Sequence, residues 1–234
     1  DRYFDLGDLK DRESKLRALG VELFPQDGSG VTERVTHIVR STAIEGGNPD
    51  LERAQALGLP TIHRSSLLAS LFHDAERRVA VTGSFGKTSI TAMIGWTLSA
   101  AGLSPTVVNG GIMRNFETDQ HIGNAAAGDG RLICIEADES DGTCVKYRPT
   151  VGVVTGLARD HFEMDELQRI YRTFAENTSD LLVLSVQASA TLFGLPGPKR
   201  VTFGLQDGDV RARNVRFASR EARFSVGKAR FRMK

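Results

Sequence analysis

The chain has 234 residues, 40% of them hydrophobic and 25% charged, with a formal net charge of +1. That length supports one large or two modest globular domains, and the near-neutral balance gives no global electrostatic case for nucleic acid or an anionic membrane. No apolar run approaches the ~20 residues of a membrane span, no signal peptide is read at the amino terminus, and two cysteines are too few for a disulfide framework or a zinc site. A soluble protein of a reducing, cytoplasmic setting is therefore expected.

Along the first eighty residues, helical and strand-like segments alternate. Asp11 to Leu19 reads as a helix that ends at Gly20, followed by the strand-like run Val21–Phe24 and, after a polar turn, a strand over Thr36–Val39. A helix is expected from Asn48 to Leu57, stopped by Gly58 and Pro60. Thr61–His63 then reads as a short strand, and Ser65 or Ser66 can cap a helix over Leu67–Phe72. The charged stretch His73–Arg78 marks a domain boundary, dividing the chain into 1–76 and 77–234. Beyond it come the strands Val79–Val81, Thr106–Val108, Leu132–Ile135, Val151–Thr155 and Leu181–Val186, with helices over Ile90–Ala101 and Asp165–Asn177. Apolar runs of this kind fit parallel strands buried on both faces, so the fold class is α/β. From Val201 the pattern shifts to short β segments, Val201–Phe203, Val210–Val215, Arg223–Val226 and Ala229–Phe231. These are expected as antiparallel hairpins added to the main sheet. Cys134, inside an apolar run, reads as a small buried hydrophobe.

The most informative segment is Thr82–Ser89, Thr-Gly-Ser-Phe-Gly-Lys-Thr-Ser. Between a strand and a helix, Gly83, Ser84, Phe85 and Gly86 form a turn whose backbone N–H groups can hold phosphate. Lys87 supplies a point charge, Thr88 a hydroxyl for Mg²⁺, and Ser89 the next N–H of the helix. The full nucleotide-loop pattern wants a glycine at position 81, which is Val81 here, so the loop is a shortened variant. Two polar clusters also follow predicted strands, where open α/β sheets place their ligands. The first is Glu136–Asp141, in which Glu136 reads as a metal ligand or as part of a solvated acidic loop. The second is Asp160-His161, and taken alone His161 reads more readily as a helix-start or packing residue than as a ligand, because Mg²⁺ prefers oxygen.

Together these three elements resemble the Mur ligases, the ATP-dependent amide-bond ligases of peptidoglycan synthesis. That family carries a shortened G-T-x-G-K-T loop, a Glu after the next core strand, and an Asp-His pair after a T-N-x-x-x-D-H stretch. The counterparts here are Gly83–Thr88, Glu136 and Thr155–His161. The wording is most similar to the branch acting on UDP-N-acetylmuramate, through Val108-Asn109-Gly110-Gly111, the Glu136–Asp141 string, Ser41-Thr42-Ala43-Ile44, Asn48-Pro49 and His63-Arg64-Ser65. Several other branches carry a carbamoylated lysine about fifteen residues after the His. Here the position falls near Glu176, and no lysine occurs between Lys146 and Lys199. Departures exist: Phe85 stands where the family usually has His or Asn, and Gly156 replaces the usual Asn.

The resemblance implies an incomplete N-terminal Rossmann-like domain over 1–76 that binds the UDP-sugar, with Ser41, Thr42 and Ala43 lining that site. It implies a central ATP-binding domain over 77–234 with added antiparallel strands, and a third, C-terminal ligase domain outside these residues. ATP and Mg²⁺ are the expected cofactors, with Thr88, Glu136 and His161 as metal ligands and Lys87, Glu136 and His161 as catalytic residues. Asn109, Gly110 and Gly111 are expected at the substrate. The implied reaction joins L-alanine to UDP-N-acetylmuramate through an acyl phosphate, in a monomer or homodimer without nucleic-acid or membrane partners. Gly110–Phe116 resembles instead the tripeptide-adding recycling ligase, and the departures leave open a non-catalytic nucleotide-binding remnant. An unrelated P-loop ATPase or kinase would make Glu136 and His161 coincidences.

Overall fold

The computed structural model describes residues 6–44, 46–139, 142–157, 164–192, 194, 197–219 and 221–233. The chain opens with α1 (Leu6–Ala18), which ends where Gly20 takes a φ of 82°, a conformation glycine adopts without a Cβ clash. Residues 21–24 form no strand; Val21 and Phe24 are exposed, and Val21 N donates to Leu16 O at 3.0 Å in the last turns of α1. β1 (Ile38–Arg40) and β2 (Thr61–His63) pair in parallel and are joined by α2 (Pro49–Ala56). Asn48 caps α2, its side-chain oxygen accepting from Asp50 N at 3.0 Å and Leu51 N at 3.3 Å, with Pro49 at the first helical position. α3 (Arg64–Asp74) begins three residues before the expected helix. Its cap is His63, whose Nδ1 accepts from Ser65 N at 3.2 Å, so an imidazole does the work assigned to a serine.

The second unit is built on an eight-stranded sheet. In chain order its elements are β3 (Arg77–Thr82), α4 (Lys87–Ala100), β4 (Thr106–Val108), β5 (Ala125–Ala126), β6 (Leu132–Glu136), a 3₁₀ turn (Thr143–Lys146), β7 (Val151–Val154), α5 (Met164–Glu176), β8 (Leu181–Ser185), α6 (Val186–Thr191), β9 (Lys199–Gly204) and β10 (Val210–Arg211). The strands lie in the order β10-β9-β8-β7-β3-β6-β4-β5, all pairings parallel except β4 with β5. Three further strands, β11 (Arg213–Ala218), β12 (Glu221–Val226) and β13 (Ala229–Met233), form a separate antiparallel sheet. This corrects the expectation of hairpins added to the main sheet. β9 and β10 extend that sheet in parallel, and the run read as one strand over 210–215 divides at Ala212, whose N–H donates to Gly204 O. Val186, read as strand, starts α6 instead, because Ser185 Oγ caps that helix by accepting from Ala188 N at 3.1 Å.

The core lies on one face of the eight-stranded sheet. Ala80, Ile133, Ile135, Val154, Leu182 and Leu184 meet Leu167, Tyr171, Phe174 and Ala175, a helical stripe of α5. Phe72 of α3 is fully buried in the same cluster, with its ring edge-on to Tyr147 at 5.4 Å. On the other face α4 crosses β4 so closely that a Cβ on Gly95 would stand 2.9 Å from both methyl groups of Val107. Cys134 and Cys144 are buried and form no disulfide, and burial pushes the Cys134 thiol pKa up to about 12. Among the described residues no helix is long and apolar enough to cross a membrane.

Two expectations follow from this packing. Gly95→Val forces a rigid branched side chain into Val107 and should destabilise the protein by about 1–3 kcal/mol; an unchanged urea midpoint would show that α4 does not seat this closely. His73 Nε2 accepts a hydrogen bond from Arg148 N at 3.2 Å, and burial, Arg78 and Arg148 together hold its pKa below the ordinary 6.5. The folded state thus favours the neutral ring, while the unfolded chain takes up a proton first as pH falls. The contribution is complete above about 6.5 and is lost progressively below it. Melting temperatures at about pH 7.5 and pH 5.5 should therefore differ less in His73→Gln than in the unaltered protein, and an equal difference would remove His73 as the source.

Candidate functional site

β3 lies between β6 and β7, with β4 beyond one and β8 beyond the other, so the loop leaving its carboxyl end sits where the chain departs in opposite directions. Open α/β sheets place their ligands in the crevice at such a point. The loop is fixed by backbone contacts. Gly83 has a φ of 129°, and a Cβ there would stand 2.2 Å from Thr155 Oγ1. Ser84 N donates to Gly156 O at 3.1 Å, Thr155 N to Thr82 O at 2.9 Å, and Thr155 Oγ1 to Phe85 O at 2.5 Å. Gly86, with a φ of 80°, turns the chain into α4, whose first turn has no side-chain cap. The loop is therefore seated on the end of β7, with the positive end of a fourteen-residue helix open at its mouth.

Glu136, the last residue of β6, ties the neighbouring strand ends together. Its Oε1 accepts from Thr88 Oγ1 at 3.0 Å and its Oε2 from Gly110 N at 2.7 Å. Of the two readings of Glu136, the solvated acidic loop does not describe this half-buried, doubly hydrogen-bonded carboxylate. The backbone passes close beside it: a Cβ on Gly110 would stand 2.7 Å from Glu136 Oε2, and one on Gly111 would stand 2.9 Å from Thr88 Cγ2, so either would push those side chains aside. Asn109, buried at the end of β4, donates from Nδ2 to Gly111 O at 3.3 Å, while its Oδ1 accepts no hydrogen bond. Lys87 Nζ donates to Gly83 O at 3.0 Å and to Glu139 Oε1 at 3.1 Å.

The structure thus brings together Gly83, Ser84, Gly86, Lys87, Thr88, Asn109, Gly110, Gly111 and Glu136. Ser84 is buried in the loop, Ser89 is exposed on α4, and Phe85 turns its ring outward at 67% exposure. Ser41, Thr42 and Ala43 form a turn after β1, where Ser41 Oγ accepts from Ala43 N at 3.3 Å. Asp160 and His161 lie outside the described residues, as do Ser140 and Asp141.

Sequence reasoning missed two residues. Glu139 is 2% exposed and pairs with Lys87, yet within an acidic string nothing local separates a buried carboxylate from a solvated one. Tyr171, on the core stripe of α5, reaches the same place. Burial first, then the charge of Glu139, pushes its hydroxyl pKa up, and the nearby Ser84 side chain opposes this. Among the described residues no group of three or more His, Cys, Asp or Glu stands ready for a metal. Thr88 Oγ1 and Glu136 nevertheless offer two hard oxygen donors beside the glycine turn, a donor chemistry that suits Mg²⁺.

Comparison with known proteins bears on the same residues. Residues 81–233 match the family model described as the Mur ligase middle domain, and residues 7–76 match that described as the Mur ligase family, catalytic domain. The chain is 35% identical over 222 residues to a UDP-N-acetylmuramate–L-alanine ligase of Phenylobacterium zucineum, covering 91% of this chain and 45% of that protein. It is likewise 35% identical over 222 residues to the ligase of that name from Paracoccus denitrificans, covering 91% and 46%. The crystal structure of UDP-N-acetylmuramate-alanine ligase MurC from Thermotoga maritima superposes with a TM-score of 0.82 at 26% identity, covering 95% of this chain and 52% of that one. The chain spans about half the length of the curated relatives it matches. On the matches over residues 7–76 and 81–233, the chain belongs to the Mur ligase family.

Proposed function

We propose that the protein carrying this chain is an ATP-dependent carbon–nitrogen ligase joining L-alanine to UDP-N-acetylmuramate in peptidoglycan synthesis. The observation that carries this reading is the Thr88–Glu136 hydrogen bond at the mouth of a glycine turn, in a chain whose relatives bear that ligase's name. In this reading the N–H groups of Gly83, Ser84, Phe85 and Gly86 surround the β-phosphate of ATP, and Ser89 extends that row into α4. Lys87 lies against the β- and γ-phosphate oxygens, offsetting repulsion between the two anions. Thr88 and Glu136 would hold Mg²⁺, with His161 as a further ligand, and the ion would supply charge neutralisation at the transferred phosphoryl group. Asn109, Gly110 and Gly111 border the reacting carboxylate. Ser41, Thr42 and Ala43 belong to a UDP site in residues 1–76.

Two steps account for the chemistry. An oxygen of the sugar's lactyl carboxylate attacks the γ-phosphorus, the bond to the β-phosphate oxygen breaks, and ADP leaves an acyl phosphate behind. The amine of alanine then attacks the acyl carbon, loses a proton, and expels inorganic phosphate. No side chain forms a covalent bond, so this part of the protein contributes position and charge. A tripeptide is the second amine to consider, favoured by the Gly110–Phe116 string (Gly-Gly-Ile-Met-Arg-Asn-Phe). Two buried cysteines outside any disulfide fit a cytoplasmic enzyme.

ADP release that requires both UDP-N-acetylmuramate and L-alanine is the expected assay result. Stimulation by the tripeptide alone would move the assignment to the recycling reaction, and stimulation by neither would favour a binding protein. Lys87→Ala should lower turnover by about 10²–10³-fold. Gly83→Ala should abolish nucleotide binding, because its Cβ collides with Thr155 Oγ1; retained ADP binding in titration calorimetry would overturn the seating of the loop described above.

A further inference from the structure

Positive charge in this chain is concentrated far from the glycine turn in sequence. Residues 210–234 hold nine of the 30 Lys and Arg but one of the 29 Asp and Glu, so this segment carries +8 in a protein of net charge +1. The separate sheet of β11, β12 and β13 arranges that charge by its register. Arg216 stands opposite Arg223 and Arg223 opposite Arg232, so three arginines form one row across the strands. Ser225, two residues along β12, lies between Arg213 and Arg230 on the same face. The bulge between Arg213 and Arg216, where Asn214 has a φ of 54°, keeps Arg213 on that face. Phe217, Phe224 and Phe231 alternate onto the other face.

Glu221 is the one carboxylate of these three strands, and it accepts from Arg223 Nε and Arg232 Nε. The Nη hydrogens of both guanidinium groups are left to other partners. Among the described residues no carboxylate lies within ion-pair distance of Arg216 or Arg230. Like charges directly opposite each other destabilise a sheet, a cost that a bound anion would relieve. A concavity of about 540 Å³ opens at this face, with Asn214, Arg216, Arg223, Ser225, Arg230 and Arg232 in its lining.

Size and chemistry decide which anion fits. Strands about 4.8 Å apart make the row about 10 Å long, and the step to Arg230 adds about 7 Å. Such a field meets roughly two or three phosphates of one nucleic-acid strand, against the roughly 6–10 contacts that hold a protein on a duplex. Single strands are held by bases stacking on aromatic rings beside the basic groups, and here the rings are on the opposite face.

We propose that the arginine face of β11, β12 and β13 binds a compact polyphosphate, an anion of a few linked phosphoryl groups. Arg216 and Arg230 supply charge that no carboxylate offsets, while Glu221 holds Arg223 and Arg232 so that their planar Nη pairs can contact phosphate oxygens at two points. Inorganic polyphosphate and the phosphate tail of a nucleotide share this chemistry. The inference is independent of the ligase reading, which uses no residue of this face.

The test is titration calorimetry with inorganic tripolyphosphate in metal-free buffer of low salt. The proteins compared are the unaltered one, Lys87→Ala, and the double variants Arg216→Gln/Arg230→Gln and Arg216→Lys/Arg230→Lys. Lys87→Ala should still bind at this face. The Gln pair should bind at least about tenfold more weakly, the scale of one charge interaction near a protein surface, and the Lys pair should keep most of the affinity. No ion pair is broken by either double variant, so their urea midpoints should match that of the unaltered protein or exceed it. Heat that disappears in Lys87→Ala but persists in the Gln pair puts the anion at the glycine turn, overturning this inference and leaving the ligase reading intact. No binding by the unaltered protein also overturns it. ATP titrated into Lys87→Ala separates the two sources: affinity above that of tripolyphosphate and lost in the triple variant assigns a nucleotide, and affinity at or below it assigns the phosphate chain alone. A single-stranded oligonucleotide of about 12 residues that binds more tightly than either would overturn the compact ligand in favour of nucleic acid.

Discussion

The carboxylate of Glu136 is the constraint on which the site depends. It stands at the end of β6 and accepts from the Thr88 hydroxyl on one oxygen and from the Gly110 N–H on the other. Those partners belong to α4 and to the turn after β4, so a single side chain fixes three separate chain segments with respect to each other. Each hydrogen bond to a charged acceptor contributes about 1.5–3 kcal/mol, enough to choose among loop conformations that differ little in packing. The geometry in turn dictates sequence. Glycines stand at 110 and 111 because a Cβ at either would press on Glu136 or on Thr88. The position of this carboxylate thus also bears on a pair of glycines that no turn type requires, since neither has a positive φ.

The same site is joined to the core through one helix. The stripe Leu167, Tyr171, Phe174 and Ala175 seals one face of the sheet, and these four side chains are buried almost completely. Tyr171 belongs to that stripe and also lies near the charge of Glu139 and the Ser84 side chain. Close packing makes such a helix rigid, so the underside of the glycine turn and the carboxylate that holds Lys87 share one firm support. The upper side is held by the end of β7, through Thr155 and Gly156. Bracing from both sides leaves the turn little freedom to collapse in the absence of ligand.

How much of this the sequence carried depends on how local each signal is. The strand, glycine turn and helix around Lys87 were legible because all three are contiguous in sequence, and Glu136 was legible because it ends an apolar run. Asn48 announced its helix for the same reason. The failures are non-local. Val21–Phe24 has the composition of a strand and no strand to pair with, and β-propensity is mostly a statement about neighbours. Whether the segments after residue 199 join the main sheet or form their own depends on which edge is free, which no local pattern records. The burial of Glu139 belongs to this class: its neighbours Lys87 and Tyr171 are 52 and 32 positions away in sequence.

The division between backbone and charge also explains why the shortened loop can do without a glycine at position 81. Val81 is fully buried within β3, paired with Glu136 on one side and Val153 on the other. A glycine there would remove core packing and free the strand just before the turn. The turn instead takes its shape from Gly83 pressed against Thr155 and from Gly86 in the left-handed region. Side chains then set what the turn can hold: Thr88 and Glu136 present oxygen donors, and Lys87 presents the one donor that Glu139 and Gly83 leave it. Shape is therefore fixed before any ligand arrives.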